Sequence, residues 1–395
     1  YTNWQTASRS IAAAVKAADT GDTVLVDSGL FSINSQIVVD RPVHVLSVSG
    51  SAQTVVSGDN LCRVFFVTDP NVVIEGLSIT KGNSATIGGS NNYGGGVCLL
   101  NGGTIRDCAV YGNTATGTVN SANAGYGYAY GGGIYCGVTG LIENCVVVSN
   151  QVKGGQSFGG GIYATGSVKV VNCTVYTNAA YGGVNGMYNG QGGCGGGIYA
   201  IDGVLIENCR VSNNVGQGQS SMFPGYGIGG GIFCRSSTVS RCVVAGNVTV
   251  SGGYCTRGDG AAHSGGVYLH YGARMENTVV VNNRAVGTYM YADAYGGGVG
   301  ITGDSELMNC TVAGNRIEPG VGADYYSGGG VYATYGVAIE NTIICSNSGG
   351  RVGDENWYAY SNVTFSHTCA SPLPDGDSNL SDDPVFVDYA AGNYR

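Results

Sequence analysis

Apolar and polar residues alternate over short runs along most of this chain, and the same run returns many times. The stretch GGGIYCGVTGLIENC at 131–145 has a near copy, GGGIYAIDGVLIENC, at 195–209. Apolar residues two positions apart lie on one face of a β-strand, whereas a helix requires a spacing of three or four. Each copy therefore predicts at least two short strands.

Eight copies of this unit lie between residues 94 and 347. They begin at Gly94, Gly131, Gly159, Gly195, Gly229, Ser264, Gly296 and Gly328. In every copy, the residue three after the start and the residue two after the Cys or Thr of a second motif, I-E-N-C-x-V-x-x-N, are β-branched. These two columns are expected to face a core. The Asn that ends the second motif recurs at Asn113, Asn150, Asn178, Asn214, Asn247, Asn283, Asn315 and Asn347.

One unit is too short to close a sheet, so the units are expected to stack on one another. Stacking in register pairs each strand with its counterpart in the next copy, about 4.8 Å away, and builds a parallel β-helix. The recurrent Asn side chains should then hydrogen-bond along one corner. The glycine triplet marks the return from a variable insert to the regular coil. We expect it to allow a close approach of neighbouring backbones, where a Cβ would clash.

The segments outside the repeat are expected to complete a single β-helix domain over residues 1–395. The run SRSIAAAVKAADTG predicts a helix within 1–22 that covers the open edge of the first coil. Residues 23–93 are expected to form the N-terminal coils, and 348–395 the closing segment. Strand-like runs in the first part lie at 24–26, 37–39, 43–48, 65–67 and 72–79.

The chain resembles the right-handed parallel β-helix proteins of the pectin-lyase-like superfamily. The resemblance rests on IAAAVKAADTGDTVLVDSGLF near the start, the GGGIY and IENC repeats, and DPVFVDYAAGNYR at the end. It implies an all-β, right-handed parallel β-helix with an N-terminal capping helix. It leaves function open, because that scaffold carries lyases, hydrolases, adhesins and tail-spike proteins. Its polysaccharide lyases typically use acidic residues to hold calcium and an Arg or Lys as base.

Composition narrows the classes of function. With only 17 Lys and Arg and a net charge of −9, the chain lacks the basic surface that a nucleic-acid partner requires. No run approaches the length of apolar residues that a transmembrane helix needs. The high content of Gly, Ser, Thr, Asn and Tyr is typical of secreted or cell-surface proteins. Tyr at position 1 suggests a processed or excised chain.

An aromatic column gives the first functional hypothesis. Four residues after the start of most copies stands an aromatic residue that alternates with core positions and should face outward: Tyr135, Tyr163, Tyr199, Phe233, Tyr268 and Tyr332. Such a stripe can bind sugars, bury itself against another chain, or lie beneath the inserts. Because paired titratable groups are scarce, the sequence favours an extracellular structural or adhesive protein that self-associates into a fibre or surface layer.

Two alternatives remain open at this stage. The first is a polysaccharide lyase or glycoside hydrolase, and the second is a carbohydrate-binding β-helix without catalysis. Glu143, Glu207, Glu276 and Glu340 share a column, but they occur in every second copy, about 10 Å apart, and are interpreted as solubilising charges. The inserts contribute a looser candidate set for catalysis: Arg257, Asp259, His263, Asp293 and Asp324.

Calcium is the only cofactor that the sequence suggests. Asp375, Asp377 and Asn379 have the alternating oxygen ligands of a calcium loop, without the glycine and the distal Glu expected there. The column Cys108, Cys145, Cys173, Cys209, Cys242 and Cys310 is expected to hold free core thiols. Cys194, Cys255, Cys345 and Cys369 are better candidates for disulfides.

Overall fold

The computed structural model describes residues 4–85, 92–117, 119–120, 125–183, 192–219, 225–252, 260–288 and 291–386. It is a right-handed parallel β-helix, as predicted, and the part of the chain that it describes contains one helix, near the N-terminal end. The helix spans Ile11–Ala17, and the Ser10 hydroxyl caps it by accepting the Ala13 N–H at 3.3 Å. Ile11 and Val15 are buried, so the helix covers part of the first coil. Among the described residues, no helix is long and apolar enough to cross a membrane.

Three parallel sheets, here called walls one, two and three in the order in which a repeat unit visits them, enclose the core. The 11 strands of wall one are Ile37–Val39, Phe65–Val67, Val97–Leu99, Ile134–Cys136, Ile162–Thr165, Ile198–Ile201, Ile232–Arg235, Val267–His270, Val299–Thr302, Val331–Thr334 and Trp357–Ala359. The 13 strands of wall two are Thr23–Val26, His44–Ser47, Val73–Glu75, Thr104–Arg106, Thr139–Glu143, Ser167–Val171, Leu205–Glu207, Thr238–Ser240, Arg274–Glu276, Glu306–Met308, Val337–Glu340, Val363–Ser366 and Gly376–Asp377. The 12 strands of wall three are Gly29–Ser32, Thr54–Ser57, Ser78–Thr80, Ala109–Tyr111, Val146–Val148, Thr174–Tyr176, Arg210–Ser212, Val243–Ala245, Val279–Val281, Thr311–Ala313, Ile343–Cys345 and Cys369–Ala370.

The inserts contain regular structure. The residues at the beginning and at the end of each insert form two further parallel sheets, which we call the fin. The outgoing sheet consists of Thr114–Thr116, Gln151–Gly154, Ala179–Gly182, Val215–Gln217, Val248–Val250, Arg284–Val286 and Arg316–Glu318. The returning sheet consists of Asn92–Tyr93, Tyr128–Tyr130, Gln156–Phe158, Gly193–Cys194, Gly227–Ile228, Ala261–His263, Asp293–Tyr295 and Tyr326–Ser327. A short antiparallel pair joins Val119–Asn120 to Gly125–Tyr126. Small buried residues such as Ala115, Ala129 and Ala180 let the two fin sheets pack closely.

Walls two and three meet at a corner where one residue per coil adopts a left-handed backbone conformation. Asn144 and Asn208 have φ of 52° there, and Gly76 has φ of 70°. Asn and Gly tolerate this conformation best, which explains the Asn of the IENC motif. The predicted run 72–79 is consequently two strands, Val73–Glu75 and Ser78–Thr80, split by this corner.

The recurrent Asn residues form the predicted ladder at the corner that leads into the fin. Asn150 Oδ1 accepts the Asn113 main-chain N–H at 3.0 Å and the Asn113 Nδ2 at 2.9 Å. Asn113 Nδ2 also donates to the Ile79 carbonyl at 3.0 Å. The same pattern continues up to Asn347, so these buried amides are hydrogen-bonded throughout.

The cysteine column faces the core, and its thiols are free. Cys209 Sγ accepts the Cys173 main-chain N–H at 3.4 Å and donates to the Val170 carbonyl at 3.4 Å. Thr278 Oγ1 takes the same place and accepts the Cys242 N–H at 3.2 Å. Among the described residues Cys194, Cys345 and Cys369 are also free thiols, so the expected disulfides are absent there; Cys255 lies outside the described residues.

The glycine triplets lie where the returning sheet meets wall one, and a side chain does not fit there. A Cβ on Gly132 would overlap the carbonyl oxygens of Gln151 and Gly160, from the adjacent stretch of its own coil and from the next coil. Gly131, the first glycine of that triplet, has φ of 64°. The expected close approach of neighbouring backbones is confirmed.

Candidate functional site

Wall one and the returning sheet of the fin present two columns of side chains that contact each other where the two sheets meet, here called the aromatic cleft. Wall one contributes Tyr135, Tyr163, Tyr199, Phe233, Tyr268, Gly300, Tyr332 and Tyr358, in the order of the coils. The returning sheet contributes Tyr93, Tyr130, Phe158, Cys194, Ile228, His263, Tyr295 and Ser327. All six aromatic residues singled out from the sequence lie in this cleft.

Rings stack along each column and contact the other column edge to face. The centroids of Tyr135 and Tyr163 are 5.2 Å apart with planes 5° apart, and those of Tyr163 and Tyr199 are 5.3 Å apart at 8°. Between the columns, Tyr130 contacts Tyr163 at 5.1 Å and 77°, and Phe158 contacts Tyr199 at 4.9 Å and 60°. Offset-stacked and edge-to-face pairs are the favoured geometries, so the rings fix one another.

The six aromatic side chains are buried or partly buried. Phe233 and Tyr163 are only 7% and 8% exposed, and the other four of the six are half-buried. Burial raises the pKa of Tyr135 and of Tyr268 to about 12, so both phenols are neutral. Within the described ranges, none of the five tyrosine hydroxyls of the six residues hydrogen-bonds to another protein group.

Several positions of the repeat change together in two consecutive coils. His263 stands in the returning-sheet column, Ser264 replaces the first glycine of a triplet, and His270 ends the wall-one strand. In the next coil, Gly300 replaces the aromatic residue. The stack changes at the same place, because Phe233 and Tyr268 are 5.7 Å apart with planes 27° apart.

The two histidines flank Tyr268. The ring centroids of His263 and Tyr268 are 6.2 Å apart, and those of Tyr268 and His270 are 5.6 Å apart. Burial lowers the pKa of His263 to about 4. Burial and, second, the Arg235 charge lower the pKa of His270. Both imidazoles are therefore unprotonated at neutral pH, and each can accept a proton.

Charged groups stand on both sides of this centre. Arg235 is the register partner of His270 on the adjacent strand, and its guanidinium contacts both carboxylate oxygens of Asp202, at 3.0 and 3.2 Å. Tyr295 stacks on His263 at 5.0 Å and donates its hydroxyl to Asp293 at 3.1 Å. The fold thus brings together His263 and Asp293 from the looser set predicted in the inserts.

The other predicted candidates lie elsewhere. Asp324 is exposed, and Arg257 and Asp259 lie outside the described residues. The glutamate column is on wall two, away from the cleft, where Glu207 pairs with Arg241 and Glu276 with Arg274. Among the described residues, no three His, Cys, Asp or Glu side chains converge as a metal site would require.

The loop at 375–379 closes the C-terminal end of the solenoid. Asn379 Oδ1 accepts the Thr368 N–H at 2.9 Å, and Asn379 Nδ2 donates to the Phe365 carbonyl at 3.2 Å. Asp375 and Asp377 are exposed. The donor set fits calcium only in part, since the Asn379 amide is committed to closing the coil. Calcium binding by this loop stays a prediction.

Several solved structures are similar to this chain at low sequence identity. No protein-family model and no curated protein sequence matches the chain. A mannuronic acid specific polysaccharide family 6 lyase from human gut microbiota is similar in structure, with 11% identity and a TM-score of 0.43, over 92% of this chain and 86% of that one. The pectate lyase Pel9A has 14% identity and a TM-score of 0.41, over 97% and 78%. The A-module of the Azotobacter vinelandii mannuronan C-5 epimerase AlgE4 has 12% identity and a TM-score of 0.37, over 94% and 90%.

The sequence-based preference for a structural or adhesive protein is corrected here. The solved structures with a similar coil path named above are polysaccharide lyases and an epimerase. There is also a physical reason for the error. The aromatic column looks like an exposed sticky stripe in the sequence, but the returning sheet packs against it and turns it into the floor of a cleft.

Sequence reasoning missed His270, Arg235 and Gly300 as members of a site. Gly300 was visible, together with Cys98, as an exception in the aromatic column, and Ser264 as an exception in the triplet. Ser264 and Gly300 lie in consecutive coils, and only the fold shows that they are neighbours in space.

Proposed function

We propose that the protein binds an acidic polysaccharide along the aromatic cleft and cleaves it by β-elimination at Tyr268 and His270. The observation that carries this proposal is the break in the aromatic stack at Gly300, beside which two unprotonated imidazoles flank a tyrosine. We propose an extracellular location, because such polysaccharides occur in extracellular matrices and walls.

Binding follows from the composition of the cleft. Aromatic edges and faces contact the apolar faces of sugar rings, and hydroxyls that lack an intramolecular partner can bond sugar hydroxyls. A net charge of −9 gives no long-range attraction for a polyanion. Affinity must therefore come from contacts in the cleft rather than from the overall charge.

Each step of β-elimination has a residue suited to it. Arg235, whose Nη2 contacts Asp202, binds the carboxylate of a uronate residue through its other guanidinium nitrogens and so favours the charge that develops when the adjacent carbon loses its proton. His270, beside Arg235 on the next strand, takes that proton. The electron pair forms a carbon–carbon double bond, the glycosidic carbon–oxygen bond breaks, and the Tyr268 hydroxyl protonates the leaving oxygen. His263 packs on the other side of Tyr268, with the ring centroids 6.2 Å apart.

The same residues disfavour hydrolysis. A glycoside hydrolase needs two carboxyl groups that act on the bond as acid and as base or nucleophile. The two carboxylates described near Tyr268 are engaged, Asp202 with Arg235 and Asp293 with the Tyr295 hydroxyl.

The test is turnover of acidic polysaccharides, with neutral glucans as the comparison. Elimination creates a double bond conjugated to the carboxylate, which absorbs in the ultraviolet, whereas hydrolysis does not. Tyr268→Phe keeps the ring but loses the proton, so we expect kcat to fall by about 10²–10⁴ with affinity retained. Tyr360→Phe, at an exposed tyrosine outside the cleft, is the matched control and should behave as the wild type.

Three results would decide against the proposal. Binding without any product would make the protein a carbohydrate-binding β-helix without catalysis. New reducing ends without ultraviolet absorbance would make it a hydrolase. Neither binding nor turnover on a broad panel of acidic polysaccharides would remove the carbohydrate function itself.

A further inference from the structure

Two exceptions to the repeat face each other across neighbouring coils. From Gly94 onward, every coil except the one that begins at Ser264 follows one rule. The triplet starts with a glycine, and the next coil has an aromatic residue at its position in the wall-one column. The pairs are Gly94 and Tyr135, Gly131 and Tyr163, Gly159 and Tyr199, Gly195 and Phe233, Gly229 and Tyr268, Gly296 and Tyr332, and Gly328 and Tyr358. The one serine, Ser264, is followed by the one glycine, Gly300.

Ser264 requires a residue without a side chain at position 300. A Cβ added to Gly300 would overlap the Ser264 hydroxyl and would lie 2.9 Å from Cδ2 of Tyr268. Ser264 therefore excludes a side chain at position 300. The Tyr268 ring occupies part of the space where the missing aromatic residue would begin.

A serine in place of the usual glycine at position 264 is unfavourable for folding. Ser264 has φ of 61°, in the range of 56° to 69° that the glycines at the other triplet starts adopt at no steric cost. Its hydroxyl is fully buried and has no hydrogen-bond partner among the described residues. A buried unpaired hydroxyl and a left-handed serine both destabilise a fold, so their presence beside the histidines points to function.

We propose that Gly300 is a positioning residue whose missing side chain lets Tyr268 tilt out of the aromatic stack, toward the site of reaction, and that Ser264 acts only by keeping position 300 free of a side chain. Upstream rings have planes within 8° of each other, whereas Tyr268 departs from Phe233 by 27°. The gap at Gly300 is the only place in the described wall-one column, from Tyr135 to Tyr358, where a ring can lean toward the next coil. The tilt brings Tyr268 between His263 and His270. This inference rests on the proposed function for its catalytic consequence, but the tilt itself is independent of it.

The test returns both positions to the residues of the other coils. In Ser264→Gly/Gly300→Tyr, the new ring should push Tyr268 back into the stack. We expect kcat to fall by roughly 100-fold, with KM changed by less than about three-fold, because a proton donor is misplaced while the cleft still binds. The ring signals of Tyr268 in nuclear magnetic resonance spectra should move toward those of the stacked tyrosines.

Ser264→Gly alone is the matched control. It removes the strained residue and the buried hydroxyl but leaves Gly300 without a side chain, so Tyr268 should stay tilted, with kcat near the wild-type value. If the double variant does not fold, Ser264→Gly/Gly300→Ala provides the same test with a single Cβ against Tyr268.

Unchanged resonances of Tyr268 in a folded double variant would overturn the inference, whether or not a substrate is turned over. A loss of kcat in Ser264→Gly as large as in the double variant would also overturn it, because the hydroxyl would then act directly. Absence of turnover in the wild type would refute the proposed function and leave the resonance test of the tilt in force.

Discussion

Asn214 Oδ1 accepts two hydrogen bonds from Asn178, one from its main-chain N–H at 2.9 Å and one from its Nδ2 at 3.0 Å. The two residues belong to neighbouring coils, so one amide satisfies both a backbone donor and a side-chain donor of the coil below. Since both Asn residues are fully buried, no solvent is available to replace these bonds.

Asn214→Ala should therefore destabilise the solenoid by about 3 kcal/mol or more, because it leaves several buried polar groups without partners. Denaturant unfolding followed by circular dichroism measures the change. Asn101→Ala is the control, since that exposed residue donates one hydrogen bond, to the Thr68 carbonyl at 3.0 Å. Similar losses in the two variants would mean that the ladder contributes no more than a surface hydrogen bond.

The cysteine column should accept threonine but not valine. In Cys209→Thr, the hydroxyl can accept the Cys173 N–H as Thr278 accepts the Cys242 N–H, so stability should stay within about 1 kcal/mol. Cys209→Val has a similar volume and no acceptor, so we expect a loss of about 1–3 kcal/mol. Thermal or denaturant unfolding under reducing conditions distinguishes the two. Equal stability of both variants would show that the thiol acts only by filling space.

A methyl group at the second glycine of a triplet should lower the free energy of unfolding far more than a methyl group at an exposed turn. Gly132→Ala places a Cβ against two carbonyl oxygens, and we expect a loss above about 4 kcal/mol or failure to fold. Gly272 has φ of 70° but no atom within 4 Å of its added Cβ. Gly272→Ala should therefore cost only about 1–2 kcal/mol, from backbone strain. An unchanged melting temperature of Gly132→Ala would contradict the close approach of the coils.

Acid should destabilise the protein in part through His263. Its pKa is about 4 in the folded protein, against 6.5 for an unperturbed histidine. Between these values the unfolded chain binds a proton that the folded protein does not, so stability falls as the pH drops from 6.5 toward 4. The expected loss is about 3 kcal/mol, as an upper bound for a half-buried ring.

His263→Phe, which carries the residue found at Phe158 in the same column, isolates this contribution. Its stability should fall less than that of the wild type between about pH 7 and about pH 4, and the difference between the two slopes is the His263 contribution. Parallel pH dependences would show that His263 is protonated as readily in the folded protein as in the unfolded chain.

Much of the scaffold could be predicted because each coil has the same residue types at the same positions. Alternating β-branched residues, an Asn at one corner and glycines at another are all visible in a single unit, and repetition separates them from chance. The run at 72–79 was predicted as one strand rather than two, because the left-handed corner at Gly76 leaves no break in the apolar pattern.

The sequence by itself determined the parallel β-helix, its core columns and the Asn ladder, because these depend on spacing within one repeat and on stacking like upon like. Only the tertiary structure decided what the aromatic column does. The returning strands of the fin bring a second column, with His263 and Tyr295, against the first, and convert an outward face into a cleft. That relation depends on the path of inserts of unequal length. It also depends on contacts such as that of Ser264 with Gly300, about one coil apart, which no short-range pattern records.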